Sequence, residues 1–358
     1  MGVEIEIEGG PQGTTPNITE DVRTVPRGLY MTQDSPAIYI AGFDTIGSFG
    51  FVDRVIKSAF TAAPVQLALL DPTDVPVGIA NDATFIYVLC RTAALGTSVT
   101  RILKADFLTQ TRVVAGDPPI HTPNQIPIVD GTDLVFCATD NVTTDQRCCK
   151  LDLIGFAAFT SVLNASPTVT ANQPVLDTVN GKYWVPSVTH PLAGNCAPAM
   201  MSVDRATFLW DVTGCGIFAN VTRVTPITLG LGLDNCLTDG GNIYIASPNV
   251  VPSMIASVPV PSLIGGISTS LPGTSQIPAP GCMNQDAQDS AFMYISDNGS
   301  PVTVWKYRKS NLNIGGSHTL PAGANNSNYV LVDTPNQFVY TLTISGVARL
   351  VRSGFGLF

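Results

Sequence analysis

The sequence predicts an all-β fold: a seven-bladed β-propeller of four-stranded antiparallel blades, closed by an N-terminal strand. Three observations predict it. An apolar-aromatic tetrad recurs seven times, at intervals of 46 to 60 residues. A second ladder, ending in Phe or Leu, follows every tetrad in step. The last repeat stops one strand short, and the N-terminal region holds a spare candidate strand. A chain of 358 residues would ordinarily divide into two or three domains, but a repeat architecture uses the whole length as one closed unit.

The tetrads read AIYI at 37–40, FIYV at 85–88, LVFC at 134–137, KYWV at 182–185, NIYI at 242–245, FMYI at 292–295 and FVYT at 338–341. Their third residues are Tyr39, Tyr87, Phe136, Trp184, Tyr244, Tyr294 and Tyr340. Short runs of β-branched and aromatic residues bounded by turn formers mark buried strands. Asp34, Asp82, Asp239 and Asp289 each lie five residues before the aromatic, and Asp130-Gly131 and Asn180-Gly181 do similar duty in repeats three and four. Asp and Asn suit such turns because their side chains bond nearby backbone amides. The competing reading is a ring of acids around a ligand.

The second ladder ends at Phe60, Phe107, Phe156, Phe208, Leu263, Leu312 and Phe355. Two more short strands fit between each of these and the next tetrad: after Phe60, PVQLALL, a DPTD turn and VPVGIA. That makes four strands per repeat. The last repeat ends at Phe358 without its fourth strand. DVRTV at 21–25 is a candidate for that outer strand, and RGLYMT then opens blade one. Such a clasp hides the edges an open sheet would expose. The organisation expected is an arm over 1–20 and the propeller over 21–358.

The pattern resembles the YVTN and NHL-like propeller repeats, in which an aromatic-apolar strand precedes one of the form Val-X-X-Ile-Asp-X-X-Thr. Where those families often place Asp near the end of the second strand, this sequence mostly carries Lys or Arg, as in RVIKSAF and RILKADF. The resemblance implies the fold. It implies no single activity, because those families span enzymes and binding modules.

Composition narrows the function classes. Only 13% of residues are charged, about half the usual share. The surface therefore relies on uncharged polar residues or is covered by partners. The net charge of −9 argues against nucleic acid as a partner. No apolar run is long enough for a membrane span. The start, MGVEIEIEGG, is not a signal peptide, which needs a basic beginning and an apolar core. Eight cysteines and six Asn-X-Ser/Thr sites lean toward an oxidising, extracellular or virion-surface setting. A bridge between Cys137 and Cys149, across a hairpin turning near Thr143, is one arrangement expected; a bridge using Cys148 and buried free thiols are the others.

Ten of the eighteen basic residues fall in the second ladder. Arg54, Arg101, Lys150, Lys306 and Arg349 precede the closing residue by six; Lys57, Lys104, Arg205, Lys309 and Arg352 precede it by three. Equivalent positions in a closed ring form circles. These circles are either solvated outward positions or a docking surface for an acidic partner, an identical subunit or an anionic glycan. Arg54, Lys57, Arg101, Lys104, Lys309 and Arg352 are the candidate partner-binding residues. Val3, Ile5 and Ile7 join them, because Val3 to Glu8 alternates apolar and acidic like a half-buried strand. That segment either edges its own ring, is donated to a neighbour or is disordered.

No cofactor is expected. The sequence has no Gly-X-Ser-X-Gly elbow, phosphate loop or Cys-X-X-Cys pair, and its three His lack ligand spacing. The leading expectation is a non-enzymatic structural or interaction propeller in a surface assembly, such as a virion or an extracellular coat. Its partners would be other protein subunits, copies of itself among them. The alternatives are a propeller hydrolase or lactonase with a channel metal, and a secreted glycan-binding module.

Overall fold

Strand formers buried on both sides prefer the middle of a sheet. In the computed structural model each tetrad lies in the second strand of a four-stranded antiparallel sheet. The structure describes residues 17–20, 26–115, 121–140, 146–157, 159–163, 173–187, 199–217, 235–247, 252–260, 262, 266–273, 275, 277, 283–285, 291–320, 327–343 and 346–355. Strand β1 (Asn17–Glu20) comes first in the chain but belongs to the last blade. Blade 1 is β2 (Pro26–Gln33), β3 (Ala37–Asp44), β4 (Phe49–Ile56) and β5 (Val65–Ala68). Blade 2 is β6 (Val75–Asn81), β7 (Phe85–Arg91), β8 (Thr97–Leu103) and β9 (Gln110–Val114). Blade 3 is β10 (His121–Asp130), β11 (Asp133–Asp140), β12 (Gln146–Asp152) and β13 (Phe159–Leu163). Blade 4 is β14 (Val175–Asp177), β15 (Lys182–Ser187), β16 (Ala199–Asp204) and β17 (Trp210–Ile217). Blade 5 is β18 (Asn235–Thr238), β19 (Asn242–Ser247), β20 (Met254–Pro259) and β21 (Ile267–Ser270). Blade 6 is β22 (Met283–Gln285), β23 (Phe292–Ser296), β24 (Thr303–Arg308) and β25 (Ile314–Thr319). Blade 7 is β26 (Ser327–Asp333), β27 (Phe338–Thr343) and β28 (Gly346–Val351), with β1 outermost.

The first strands of neighbouring blades pack against one another all the way round, β26 against β2 included, so they surround the axis of a closed ring. β1 pairs antiparallel with β28, Asn17 opposite Arg349 and Glu20 opposite Gly346. The segment 21–25 lies outside the described residues. No helix among the described residues is long and apolar enough to cross a membrane.

The hydrophobic core is the set of blade junctions. Successive residues of a strand face opposite sides, so one strand feeds two junctions. Ile38 and Ile40 of β3 pack with Tyr329, Leu331 and Leu342 of blade 7. Ala37, Tyr39 and Ala41 of the same strand pack with Ile79, Ile86 and Val88 of blade 2. This two-sided burial explains why the tetrads read as apolar runs rather than as alternation. The outer strand β5, by contrast, exposes Val65 and Ala68.

Blade 3 corrects the sequence alignment by one residue. Tyr39 lies opposite Arg54 and Tyr87 opposite Arg101, but the residue opposite Lys150 is Val135, not Phe136. Val135 is therefore the equivalent of Tyr39, and it stands five residues after Asp130 as Tyr39 does after Asp34. Phe136 points the other way, into the junction with blade 2. A one-residue slip exchanges the two faces of a strand, and the aromatic ring masked the slip.

The same register decides the cysteines. A bridge between Cys137 and Cys149 needs them opposed, but Cys137 lies opposite Cys148, and Cys149 opposite Phe136. Cys149 packs toward blade 2, whereas Cys137 packs with Val185 and Met201 of blade 4. The expected bridge is absent: Cys90, Cys137, Cys148, Cys149 and Cys236 are buried free thiols. Burial pushes the Cys149 and Cys236 thiols well above their ordinary pKa.

Candidate functional site

Ala37 lies opposite Ile56, so the turn entering β3 and the turn leaving β4 sit at the same end of the blade. The other blades repeat this, and one end of the ring, the turn face, carries both kinds of turn. The basic residues three places before the closing Phe or Leu lie in these turns, and the structure ties them to the preceding blade.

Asp34 shows the arrangement. Its Oδ1 accepts the Ala37 amide at 3.0 Å, which shapes the turn, and its Oδ2 accepts the Tyr39 hydroxyl at 3.0 Å. Lys104 of blade 2 brings Nζ to 2.8 Å from the same carboxylate and stands 5.5 Å above the Tyr39 ring. Phe107 then inserts beside Tyr39, ring centroids 6.2 Å apart, and Arg54 covers it at 4.5 Å. Carboxylate, phenol and ammonium thus form a staple between blades, and the guanidinium over the inserted ring forms a second one.

Around the ring the staple varies with the local residues. Between blades 7 and 1, Lys57 Nζ lies 2.6 Å from Asp333 and also donates to the Asp34 carbonyl at 2.6 Å. Arg349 covers Phe60 at 4.6 Å. Within blade 2, Tyr87 donates to Asp82 at 2.5 Å, and Arg101 covers Phe156 of blade 3 at 4.3 Å. Between blades 3 and 4, Val135 offers no hydroxyl, and Tyr183 of blade 4 donates to Asp130 at 2.6 Å instead. Arg205 grips that carboxylate with Nε and Nη2, both at 2.6 Å. The Arg205 bonds, ahead of the Tyr183 bond, hold the Asp130 carboxyl below its ordinary range. Between blades 6 and 7, Arg352 Nε donates to the Tyr294 hydroxyl at 3.3 Å.

Of the sequence-selected residues, Arg54, Lys57, Arg101, Lys104 and Arg352 therefore reach across blade junctions, and Lys309 stands 5.7 Å above Tyr244 of blade 5. Asp34, Asp130 and Asp333 do more than form turns: they are the acceptors of the staples. Asp289 lies outside the described residues. Val3, Ile5 and Ile7 lie outside the described residues. Among the described residues no group of three or more His, Cys, Asp or Glu is placed to hold a metal ion.

Burial first, and then the neighbouring carboxylate, raises the pKa of Tyr39, Tyr87, Tyr183 and Tyr244 above the ordinary phenol value. Folding thus favours the neutral phenol. That contribution is whole below the unfolded value of about 10 and is lost as pH rises toward the raised folded value. In an ultraviolet titration these tyrosines should stay neutral near pH 11 while the β-sheet signal persists, then ionise together as the sheet signal is lost. Ionisation near pH 10 in the folded protein would refute the staple geometry.

Two further surface features lie on the turn face. The first is an arc of exposed apolar side chains in the turns after the third strands of consecutive blades. Leu108 of blade 2 is 70% exposed, Ile154 of blade 3 is 77% exposed and Leu209 of blade 4 is 60% exposed. Val179, in the turn between β14 and β15, is 74% exposed. The sequence reading missed these residues, because a single Leu or Ile in a turn carries no signal until the ring brings the turns of successive blades to one end. The second feature is a cleft of about 360 Å³ between blades 5 and 6, lined by Asp239, Asn242, Tyr244, Arg308, Lys309 and Ser310.

No family model matches the chain, and no curated protein matches it. Among solved structures it is similar to the Dos1 propeller, with a TM-score of 0.59 at 8% identity, covering 88% of this chain and 75% of that one. It is also similar to Kuenenia stuttgartiensis hydrazine synthase, with a TM-score of 0.61 at 14% identity, covering 92% of this chain and 96% of that one. At such identities the likeness is one of fold and carries no activity across. The chain is a seven-bladed β-propeller whose ionisable residues on the turn face are largely spent on joining its blades.

Proposed function

We propose that this propeller is a non-enzymatic interaction module that docks protein subunits, copies of itself included, through the turn face of blades 2 to 4. A surface assembly such as a virion or an extracellular coat is the setting that suits it. The observation that carries the reading is the arc of Leu108, Ile154 and Leu209, exposed in the turns after the third strands of three consecutive blades. Scattered exposed apolar residues are ordinary, but large apolar side chains recurring at one end of three consecutive blades suit an interface, with the exposed Asp106, Asp152 and Arg205 of the same turns as polar contacts beside them. The staples support this. They take Lys57 and Lys104 into junctions and pair the exposed Arg205 with Asp130, so the cations of these turns are already matched beside the apolar side chains. The low charge content supports it as well. The alternating arm, with Val3, Ile5 and Ile7, would add a donated strand to the same assembly.

Light scattering tests the proposal. The chain should elute at a multiple of its 37.7 kDa mass at micromolar concentration. The variant Leu108→Ser/Ile154→Ser/Leu209→Ser should elute as a monomer with an unchanged melting temperature, because these side chains touch no core. A wild-type chain that stays monomeric and is recovered from its source only as a monomer would overturn it.

A further inference from the structure

The cleft between blades 5 and 6 is separate from the apolar arc and has different chemistry. We infer that it is a binding site for a carboxylate-bearing sugar. The exposed cation Arg308 of blade 6 and a group of hydroxyl-matching polar atoms from blade 5 meet there. Arg308 is exposed at the end of β24, with its guanidinium 5.3 Å from the centre of the Phe292 ring. No carboxylate among the described residues pairs with it. Lys309, next to it, is buried against Tyr244. A planar guanidinium held by a ring, with its N–H groups open, is the donor that a carboxylate fits in two parallel bonds.

The blade 5 wall makes the site more than an anion patch. Asp239 is already held by the Gly241 amide at 3.0 Å, the Asn242 amide at 2.8 Å and the Tyr244 hydroxyl at 2.7 Å. These bonds fix its position, and its remaining acceptor capacity suits a hydroxyl donor. The Asn242 and Ser310 side chains line the same space and can both donate and accept. An acidic peptide side chain would use Arg308 and leave these groups idle. A ring carrying one carboxylate and several hydroxyls uses both. The volume of about 360 Å³ falls at the small end of ligand sites, enough for one such ring.

Glucuronate is the probe, titrated into the full chain at neutral pH by calorimetry or ligand-observed NMR. Acetate and glucose serve as the carboxylate-only and hydroxyl-only controls. Glucuronate should bind at least tenfold more tightly than either control. Arg308→Gln should weaken glucuronate about tenfold and leave glucose unchanged, and Ser310→Ala should weaken it by a smaller factor. Both residues are exposed, so both variants fold. The methyl β-glycoside of glucuronate separates the two sources of such a group: binding of both forms points to a glycan end, and binding of glucuronate alone points to a free sugar acid. Glucuronate binding no tighter than acetate, or unaffected by Arg308→Gln, overturns the proposal.

Discussion

Replacing Lys57 by Met should lower the melting temperature by about 5 °C, and adding Asp333→Asn should restore most of that loss. Lys57 and Asp333 join the first blade to the last, with side chains only 8% and 4% exposed. Removing one partner of a buried pair leaves the other charge without compensation, at a cost of about 3 to 5 kcal/mol. Asp333 keeps bonds from Asn336 Nδ2 at 3.1 and 3.0 Å, but these donors are neutral. With an unfolding entropy of about 2.1 cal/mol/K per residue, 358 residues convert 4 kcal/mol into roughly 5 °C. Met keeps an unbranched side chain of similar length beside Tyr340, over whose ring the Lys57 ammonium now stands at 5.7 Å. The double variant removes both charges together and should recover to within about 1 kcal/mol of wild type. Lys104→Met, at a more exposed pair, should cost less. Calorimetry on the four proteins checks the series. Equal losses at Lys57 and Lys104, or a double variant no better than the single one, would show that burial of the seam pair is not what sets the effect.

The fold was legible because the repeat imposes two periodic demands at once. A strand buried between two blades must be apolar on both faces, and the turn before it must begin with Asp or Asn. Those demands place the tetrads and the closing Phe residues without reference to contacts. What failed was local register. The aromatic at Phe136 outweighed the count from Asp130, although the pairing of Lys150 would have picked Val135. The hairpin of β11 and β12 is centred half a residue earlier than a Cys137–Cys149 pairing needs, which is enough to turn Cys149 to the other face. The purpose of the basic ladders was not legible for a different reason. A Lys at a strand end looks the same in sequence whether it meets water or the carboxylate of the next blade, as Lys57 and Lys104 do. That distinction depends on contacts between blades, which separate Lys57 from Asp333 by most of the chain. The cleft of Arg308 and Asp239 was hidden for the same reason.

The inserted Phe residues should respond to Gly and Ala in opposite orders at Phe107 and Phe60. Phe107 closes its turn with an amide bond to the Leu103 carbonyl at 2.9 Å and has a φ of +53°, a conformation bulky residues rarely adopt. Phe156, Phe208 and Leu312 do the same at +45°, +55° and +55°. The left-handed backbone costs about 1 kcal/mol for any residue with a Cβ, and burial of the ring between Tyr39 and Arg54 offsets it. Phe107→Ala should therefore lose about 3 to 5 kcal/mol, because the cavity opens while the backbone cost remains. Phe107→Gly opens the same cavity but relieves the backbone, and should be less destabilising than Ala by up to about 1 kcal/mol. Phe60 fills the equivalent place with a φ of −57°. There Gly relieves nothing and adds disorder to the unfolded chain, so Phe60→Gly should be worse than Phe60→Ala by about 0.5 to 1 kcal/mol. Phe107→Leu should be the mildest change, since Leu312 fills that role in blade 6 at the same φ with 2% exposure. Thermal unfolding of the five variants decides it. The same Gly-to-Ala order at both sites would mean that packing alone governs these positions and that the left-handed turns carry no strain worth measuring.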